Sequence, residues 1–277
     1  MSRGNGRTSR FIATREHRRF VEFADAVRRH KTIGLCHGPA GVGKTQSARR
    51  YARWHLIEPH IDLHFSSFND TKDPKLCAAI TRKRAVFYTP TVSETVATVG
   101  SNLNRLIVGA QLCITRKLDP KRFNEDEEDA LYNVDLIIID EAERLSTAGL
   151  EHLRDHIDRN STGLILIGMP GIEKRLARFP QLYSRIGFSH RYASLSKDEL
   201  TLVLAGYWKR LGKRRRINTE ADALAIAAIA RLTGGNFRLI QRLFMQIERV
   251  LRINNLDEIT EEVVEAAASA LVIGYAL

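Results

Sequence analysis

The chain has 277 residues, 44% of them hydrophobic, with 43 Lys+Arg against 32 Asp+Glu and a formal net charge of +11. That length holds one large domain and a small one with ample core, and the basic balance favours a polyanionic partner. Cys36, Cys77 and Cys113 are far apart and odd in number, which suits reduced thiols in a cytoplasmic protein and excludes a metal-ligand pattern. Phe11-Ile-Ala13 is too short for a signal peptide's apolar region, and no stretch is long and apolar enough to span a membrane.

Residues 1 to 10 are rich in Gly, Ser and Arg and are expected to be mobile. Thr14 to about His30 reads as an amphipathic helix with Phe20, Val21, Phe23, Ala24 and Val27 on one stripe. Its other face carries Arg15, Arg18, Arg19, Arg28 and Arg29, which suit either a solvated surface or a DNA contact. The apolar run Thr32-Ile-Gly-Leu-Cys36 then leads into Gly38-Pro-Ala-Gly-Val-Gly-Lys-Thr45, a G-x-x-x-x-G-K-[ST] phosphate-binding loop between a strand and a helix.

The chemistry needs these residue types. Gly38, Gly41 and Gly43 let backbone N–H groups turn inward around a β-phosphate, in conformations that a Cβ obstructs. Lys44 is expected to reach the β- and γ-phosphates, Thr45 to hold Mg²⁺, and the helix beginning here to point its positive end at the anion. The nucleotide-binding set is Gly38, Pro39, Ala40, Gly41, Val42, Gly43, Lys44, Thr45 and Gln46, joined by Asp140.

About 57 to 84, with Pro59, Pro74 and basic residues at 72, 75, 82, 83 and 84, reads as a surface insertion. Ala85-Val-Phe-Tyr88 resumes the sheet. Ser93 to Ile114 has helical spacing at Val96, Val99, Leu103, Leu106, Ile107 and Ala110. Thr115-Arg-Lys117, Lys121-Arg122 and the acidic run Glu125 to Asp129 follow.

Leu136-Ile-Ile-Ile-Asp-Glu141 predicts a buried parallel strand that delivers two carboxylates at its C-terminal end, where open α/β sheets bind ligands. Asp140 is expected behind the Mg²⁺ shell, which leaves Glu141 to polarise an attacking water. Gly163-Leu-Ile-Leu-Ile167 is another buried strand, and Phe188 to Ala193 the last.

From Ser196, which forms a capping box with Glu199, the chain reads as helices at about 197 to 211, 219 to 232, 236 to 253 and 260 to 272. The basic turn of Lys209, Arg210 and Lys213 to Arg216 is either a solvated loop or a phosphate contact. The fold class is α/β, a P-loop NTPase three-layer sandwich with a parallel sheet followed by a small all-helical lid. The expected domains are a basic N-terminal segment and helix, 1–31, the P-loop domain, 32–195, and the lid, 196–277.

This arrangement resembles the AAA+ ATPases, and the resemblance covers nearly the whole chain. Thr233-Gly-Gly-Asn-Phe-Arg238 looks like sensor 2, which implies that Arg238 reaches the γ-phosphate. Arg178-Phe-Pro-Gln-Leu-Tyr-Ser-Arg-Ile186 lies where these proteins carry an arginine finger that enters a neighbouring subunit's site, with Arg185 the best match and Arg178 and Arg175 the alternates. Sensor 1 departs from the pattern. Gly168-Met-Pro-Gly171 puts methionine where a polar side chain usually helps to position the water, which implies slow hydrolysis and ATP used as a switch.

Within AAA+, the chain resembles the transposition regulators of the TniB, TnsC and Mu B type. The matching strings are the short basic N-terminal helix leading into the P-loop, Asp140-Glu-Ala-Glu-Arg-Leu145, Leu166-Ile-Gly-Met-Pro-Gly-Ile-Glu-Lys-Arg-Leu176 and the compact lid. That resemblance implies an ATP- and Mg²⁺-dependent homo-oligomer, a helical filament or ring, on double-stranded DNA without strong sequence preference. It further implies recruitment or activation of a transposase, with a target-selection protein as a further partner and no membrane. Arg105, Thr115, Arg116 and Lys117 are the candidate DNA contacts. A helicase-loader or initiator-like ATPase, and a signalling or secretion ATPase acting on proteins, share the same core.

Overall fold

Runs of branched apolar residues set the sheet. The computed structural model describes residues 11–62, 67–120, 133–210 and 220–271. Lys121-Arg122, the acidic run, the turn at Lys213 to Arg216, the side chains of Lys209 and Arg210, residues 1 to 10 and the end of the last expected helix lie outside the described residues. Strand β1 is Ile33–His37; β2, Ile61–Asp62, and β3, Ser67–Phe68, form a small antiparallel pair; β4 is Ala85–Tyr88, β5 Leu136–Ile139, β6 Gly163–Gly168 and β7 Ile186–Arg191.

The five long strands are parallel, in the order β4-β5-β6-β1-β7. Every residue of β4, β5 and β6 is buried, so helices cover the sheet on both faces, as its uninterrupted apolar runs require. Register aligns Phe87 with Ile138, Ile138 with Ile165, and Leu166 with Leu35, so large side chains stack across the sheet. The order places β6 between β1 and β5, the two strands that end in the P-loop and in the carboxylate pair.

The chain divides into two compact units, Arg19–Ala193 and the pair of segments Met1–Arg18 and Ser194–Leu277. The helix α1, Arg15–His30, is therefore no separate N-terminal segment. From Phe20 onward it belongs to the sheet's core: Phe20, Phe23, Ala24 and Val27 are buried there, and the backbone of α1 approaches so closely that glycine is needed at Gly163 opposite the Val27 carbonyl.

The expected insertion is corrected in the same way. After α2, Lys44–Tyr51, and α3, Trp54–Ile57, comes α4, Pro74–Thr81, capped by Asp73 and with Leu76, Cys77, Ala79 and Ile80 buried. Apolar residues spaced one, three and four apart make one inward face. That face packs on α5, Val96–Leu118, and brings together two cysteines distant in sequence: the Cys77 and Cys113 thiols lie 3.1 and 3.7 Å from the Thr71 carbonyl. Burial, with the neighbouring Cys77 thiol, pushes the Cys113 thiol above its ordinary range.

Helix α6, Thr147–Asn160, follows β5; α7, Ile172–Leu176, and α8, Pro180–Tyr183, precede β7. In the other unit α9, Lys197–Arg210, α10, Glu220–Thr233, α11, Phe237–Ile253, and α12, Glu261–Ser269, surround their own core of Leu204, Trp208, Ile229, Ile240, Leu243, Ile247 and Val264. Ser196 and Glu199 form the expected capping box, and Glu199 also accepts the backbone N–H of Arg15. Among the described residues no helix is long and apolar enough to cross a membrane.

Candidate nucleotide-binding site

The loop after β1 turns on two close constraints. A Cβ at Gly38 would lie 2.3 Å from the Tyr192 carbonyl oxygen, because the chain leaving β7 crosses directly over the loop and Tyr192 donates its N–H to the His37 carbonyl. Gly43 takes φ 111°, a left-handed conformation open to glycine, and so directs the chain into α2. Tyr192 also meets Ser47 of α2, with 2.7 Å between the hydroxyls, so the end of β7 clamps both sides of the loop. Sequence reasoning did not single out Tyr192; its only signal was its place in the last expected strand.

Lys44 is buried, 8% exposed, and its ammonium donates to the Gly38 and Pro39 carbonyls, the latter at 2.8 Å. The charge is thus held over the concave side of the loop. Across from it, the Thr45 hydroxyl donates to Asp140 Oδ2 at 2.7 Å, a contact between residues 95 apart in sequence. Asp140 is 3% exposed; burial pushes its carboxyl above the usual range, while the Thr45 hydroxyl and the Glu141 N–H pull it back. Val42 is buried, and Thr45 and Gln46 are exposed at the start of α2.

Glu141 has φ 51°, a left-handed conformation rare outside glycine, which costs about 1–3 kcal/mol and is typical of functional turns. Its carboxylate pairs with Arg144, whose other terminal nitrogen donates to the Pro90 carbonyl at 2.8 Å. Arg144 was missed in the sequence, although it stands three residues beyond the carboxylate pair, within salt-bridge reach on a helical turn.

At the end of β6, Met169 is 40% exposed, and a Cβ at Gly168 would lie 2.9 Å from Glu143 Oε2. The polar group beside this strand end therefore comes from the turn after β5. Glu173 accepts the Gly171 N–H at 3.0 Å and lies 3.6 Å from His37 Nδ1, which ties that turn to the strand ahead of the loop. Backbone N–H donors hold the Glu173 carboxyl below its ordinary range.

The three arginines before β7 separate clearly. Arg175 donates to the carbonyls of Glu143 and Leu145, so it staples α7 to the turn after β5. Arg178 is exposed. Arg185 binds Asp158 at 2.8 Å and the Gln181 carbonyl at 2.9 Å, with 41% of its side chain exposed. Its own carbonyl accepts the N–H of Ile33, so it sits at the start of β1, about 13 Å of strand away from the loop in its own chain.

Arg238 belongs to the helical unit and is exposed. Gly234 and Gly235, at φ 53° and 73°, turn the chain; Asn236 then caps α11 by accepting the N–H groups of Arg238 and Leu239.

The candidate DNA contacts lie on α5. Arg105 and Lys117 are exposed, Arg116 is half-buried, and Arg105 donates to Asn102 Oδ1 at 2.6 Å. Thr115 is a correction: it is 2% exposed, on the inward side of α5 next to Ile114, and cannot touch a phosphate.

No cluster of three or more His, Cys, Asp or Glu residues suited to a metal occurs among the described residues. The pair Thr45 and Asp140 suits Mg²⁺ held jointly with phosphates, since that ion uses one or two carboxylates and keeps its other positions for water and substrate oxygens.

A protein 41% identical over 270 residues, described as a potential ATP-binding protein from Staphylococcus aureus, is matched over 95% of this chain and 97% of its own length. Among solved structures, the Thermotoga maritima RuvB Holliday junction branch migration motor is similar at TM-score 0.57 and 18% identity, covering 94% of this chain and 70% of that one. The Aeropyrum pernix ORC2 protein is similar at TM-score 0.56 and 17% identity, over 94% and 68%. The family model described as AAA domain matches residues 27–176, which spans the loop, the carboxylate pair and more than half of the chain, and on that ground the chain belongs to the AAA family.

Proposed function

We propose that this chain is an ATP-dependent, sequence-tolerant DNA-binding ATPase that oligomerises on duplex DNA, selects a target site and recruits or activates a transposase. The observation that carries the nucleotide half is the Thr45–Asp140 hydrogen bond facing the buried Lys44 ammonium: a hydroxyl, a carboxylate and a fixed cation converge at a glycine loop. The description of the Staphylococcus aureus relative supports the same half.

Gly38 to Gln46 would cradle the phosphates, Thr45 and Asp140 would hold Mg²⁺, and a bound ATP supplies the phosphoanhydride that hydrolysis cleaves to ADP and phosphate. Glu141 is the base in this reading. It accepts a water proton at its carboxylate once that carboxylate leaves Arg144. Arg185 serves the neighbouring subunit's site, since its place at the start of β7 keeps it from its own loop. Arg238 answers to the γ-phosphate. Met169 supplies no useful hydrogen bond for the water, which supports slow turnover and nucleotide used as a switch.

The DNA half is supported by the net charge of +11 and the exposed Arg105 and Lys117, and the transposition half by the strings shared with the TniB, TnsC and Mu B type. Fluorescence anisotropy with random duplex tests the reading: binding should require ATP or a non-hydrolysable analogue and fall steeply with salt. Equal binding with ADP, or by Lys44→Ala, overturns it. Co-purification with a replicative helicase in place of a transposase overturns the transposition half.

A further inference from the structure

Helix α11 turns one face to its own core and another to solvent, and the two differ sharply. Ile240, Leu243, Phe244, Ile247 and Leu251 are buried. Arg238, Arg242, Arg249 and Arg252 are all exposed, and among the described residues none of the four guanidinium groups has a hydrogen-bond or ion-pair partner. Arg231, on α10, is by contrast paired with Glu261 and Glu265 of α12.

At 100° per residue the four positions fall within about 80° of one another, in two pairs whose midpoints are about 16 Å apart along the helix axis. Glu248 is exposed but lies to one side of this stripe. The exposed apolar side chains of this helix are Met245 and Ile253, too few for the desolvated cluster that anchors a protein partner. Arginine, with its planar fork of donors, is the cation suited to phosphate oxygens.

We infer that the outer face of α11 is a second phosphate-contact surface for duplex DNA, carried by Arg242, Arg249 and Arg252, with Arg238 left to its nucleotide role. From Arg242 to the midpoint of Arg249 and Arg252 is about 13 Å along the axis, which fits arginines placed on the two strands bordering a major groove roughly 12 Å wide. Because the spacing is built on one rigid helix and reads no base edge, binding here is insensitive to sequence. The inference rests on the proposed duplex binding and assigns it a surface apart from α5.

The test uses the full chain with an ATP analogue and a short fluorescent duplex of random sequence, titrated by anisotropy across salt. The triple variant Arg242→Gln, Arg249→Gln, Arg252→Gln should bind at least tenfold more weakly, and its slope of log affinity against log salt should be shallower by about 2.7, or 0.9 per lost contact. Between about 50 and about 200 mM salt, that difference shrinks the wild-type affinity loss by roughly 40-fold. The matching triple lysine variant, which keeps the charge, should retain the wild-type slope, and both variants should keep the wild-type melting temperature and ATP affinity. If the wild type binds duplex and the glutamine variant binds with the same affinity and slope, the α11 surface is overturned while the proposed function stands. A lysine variant whose slope falls with that of the glutamine variant also overturns it, because the effect then does not follow charge. If the wild type binds no duplex in any nucleotide state, the proposed function fails and this surface with it.

Discussion

Two groups of cations in this chain are held in opposite ways. Four in the α/β unit are tied to fixed acceptors: Lys44 to loop carbonyls, Arg144 to Glu141 and Pro90, Arg175 to the carbonyls of Glu143 and Leu145, Arg185 to Asp158 and Gln181. In the helical unit, α11 displays Arg238, Arg242, Arg249 and Arg252 to solvent. Lys44 is thereby fixed beside the loop before a phosphate arrives, as electrostatic preorganisation requires, whereas Arg144 and Arg185 exchange their partners in the proposed reaction. Exposed arginines must be ordered on binding, at about 0.5–1.5 kcal/mol for each side chain. The first arrangement suits a small ligand at fixed geometry, and the second is the one the proposed duplex contact on α11 would use.

The largest expected effect tests whether Arg185 is only an internal tie. If its role ended at Asp158, Arg185→Ala would cost at most about 1 kcal/mol of stability and leave turnover alone. Acting on a neighbour, it should lower ATP hydrolysis by about 10³- to 10⁵-fold with nucleotide affinity unchanged. Phosphate release above the assembly concentration decides it, and an unchanged rate would leave Arg185 as an internal tie to Asp158.

Gly38→Ala comes next. Its Cβ would meet the Tyr192 carbonyl oxygen at 2.3 Å, and the obstacle is backbone, so either the loop or the end of β7 must move. We expect a loss of about 1–3 kcal/mol. The melting temperature should fall by about 2–4 °C per kcal/mol, with nucleotide affinity lost as well. A variant that melts and binds like the wild type would show that the clamp between β7 and the loop is slack.

The middle of the sheet was legible because β4, β5 and β6 are short, wholly apolar runs, and Leu136 to Ile139 can be little else. The loop and the carboxylate pair were legible because the backbone geometry demands glycine and the chemistry demands Lys, Thr and Asp at fixed spacing. What the sequence hid was long-range. Tyr192 reaches the loop only because β7 lies beside β1. Thr115 reads as part of a basic exposed turn, yet the inward face of α5 is wide enough to include it. Segment 57 to 84 looked like an insertion because its prolines and charges outnumber its apolar residues, while four apolar side chains of α4 suffice to fix it to α5. Arg144 and Arg175 act through backbone carbonyls, which no pattern of side chains announces.

A smaller effect should come from Asp25, on α1 within the α/β unit. Its carboxylate accepts the Tyr51 hydroxyl at 2.7 Å and Lys83 at 3.2 Å, and lies 3.6 Å from Arg28. Partial burial raises its carboxyl, but these partners together outweigh that and hold it below 3.8. A depressed folded-state value stabilises the fold at pH above the unfolded value, and the contribution is lost as pH falls through the folded one. Asp25→Asn should therefore cost about 1–2 kcal/mol at neutral pH. The gap from wild type should close as chemical denaturation is repeated at pH values below 3.8. A gap that stays constant with pH would mean that the amide serves as well as the carboxylate.

The smallest effect has the opposite sign and sets the units side by side through one substitution. Gly206 lies inside α9, and a Cβ there would meet nothing within 4 Å, whereas the same change at Gly38 strikes backbone. Alanine at Gly206 removes unfolded-state freedom and favours the helix, so Gly206→Ala should raise stability by about 0.5–1 kcal/mol, read as a higher denaturant midpoint at unchanged slope. Because the gain draws on α9 alone, it should be the same with and without nucleotide. A gain present in the free chain but reversed when the protein assembles with ATP and duplex would mean that another molecule covers the outer face of α9 in the working complex, and that this unit's open surfaces extend beyond the arginines of α11.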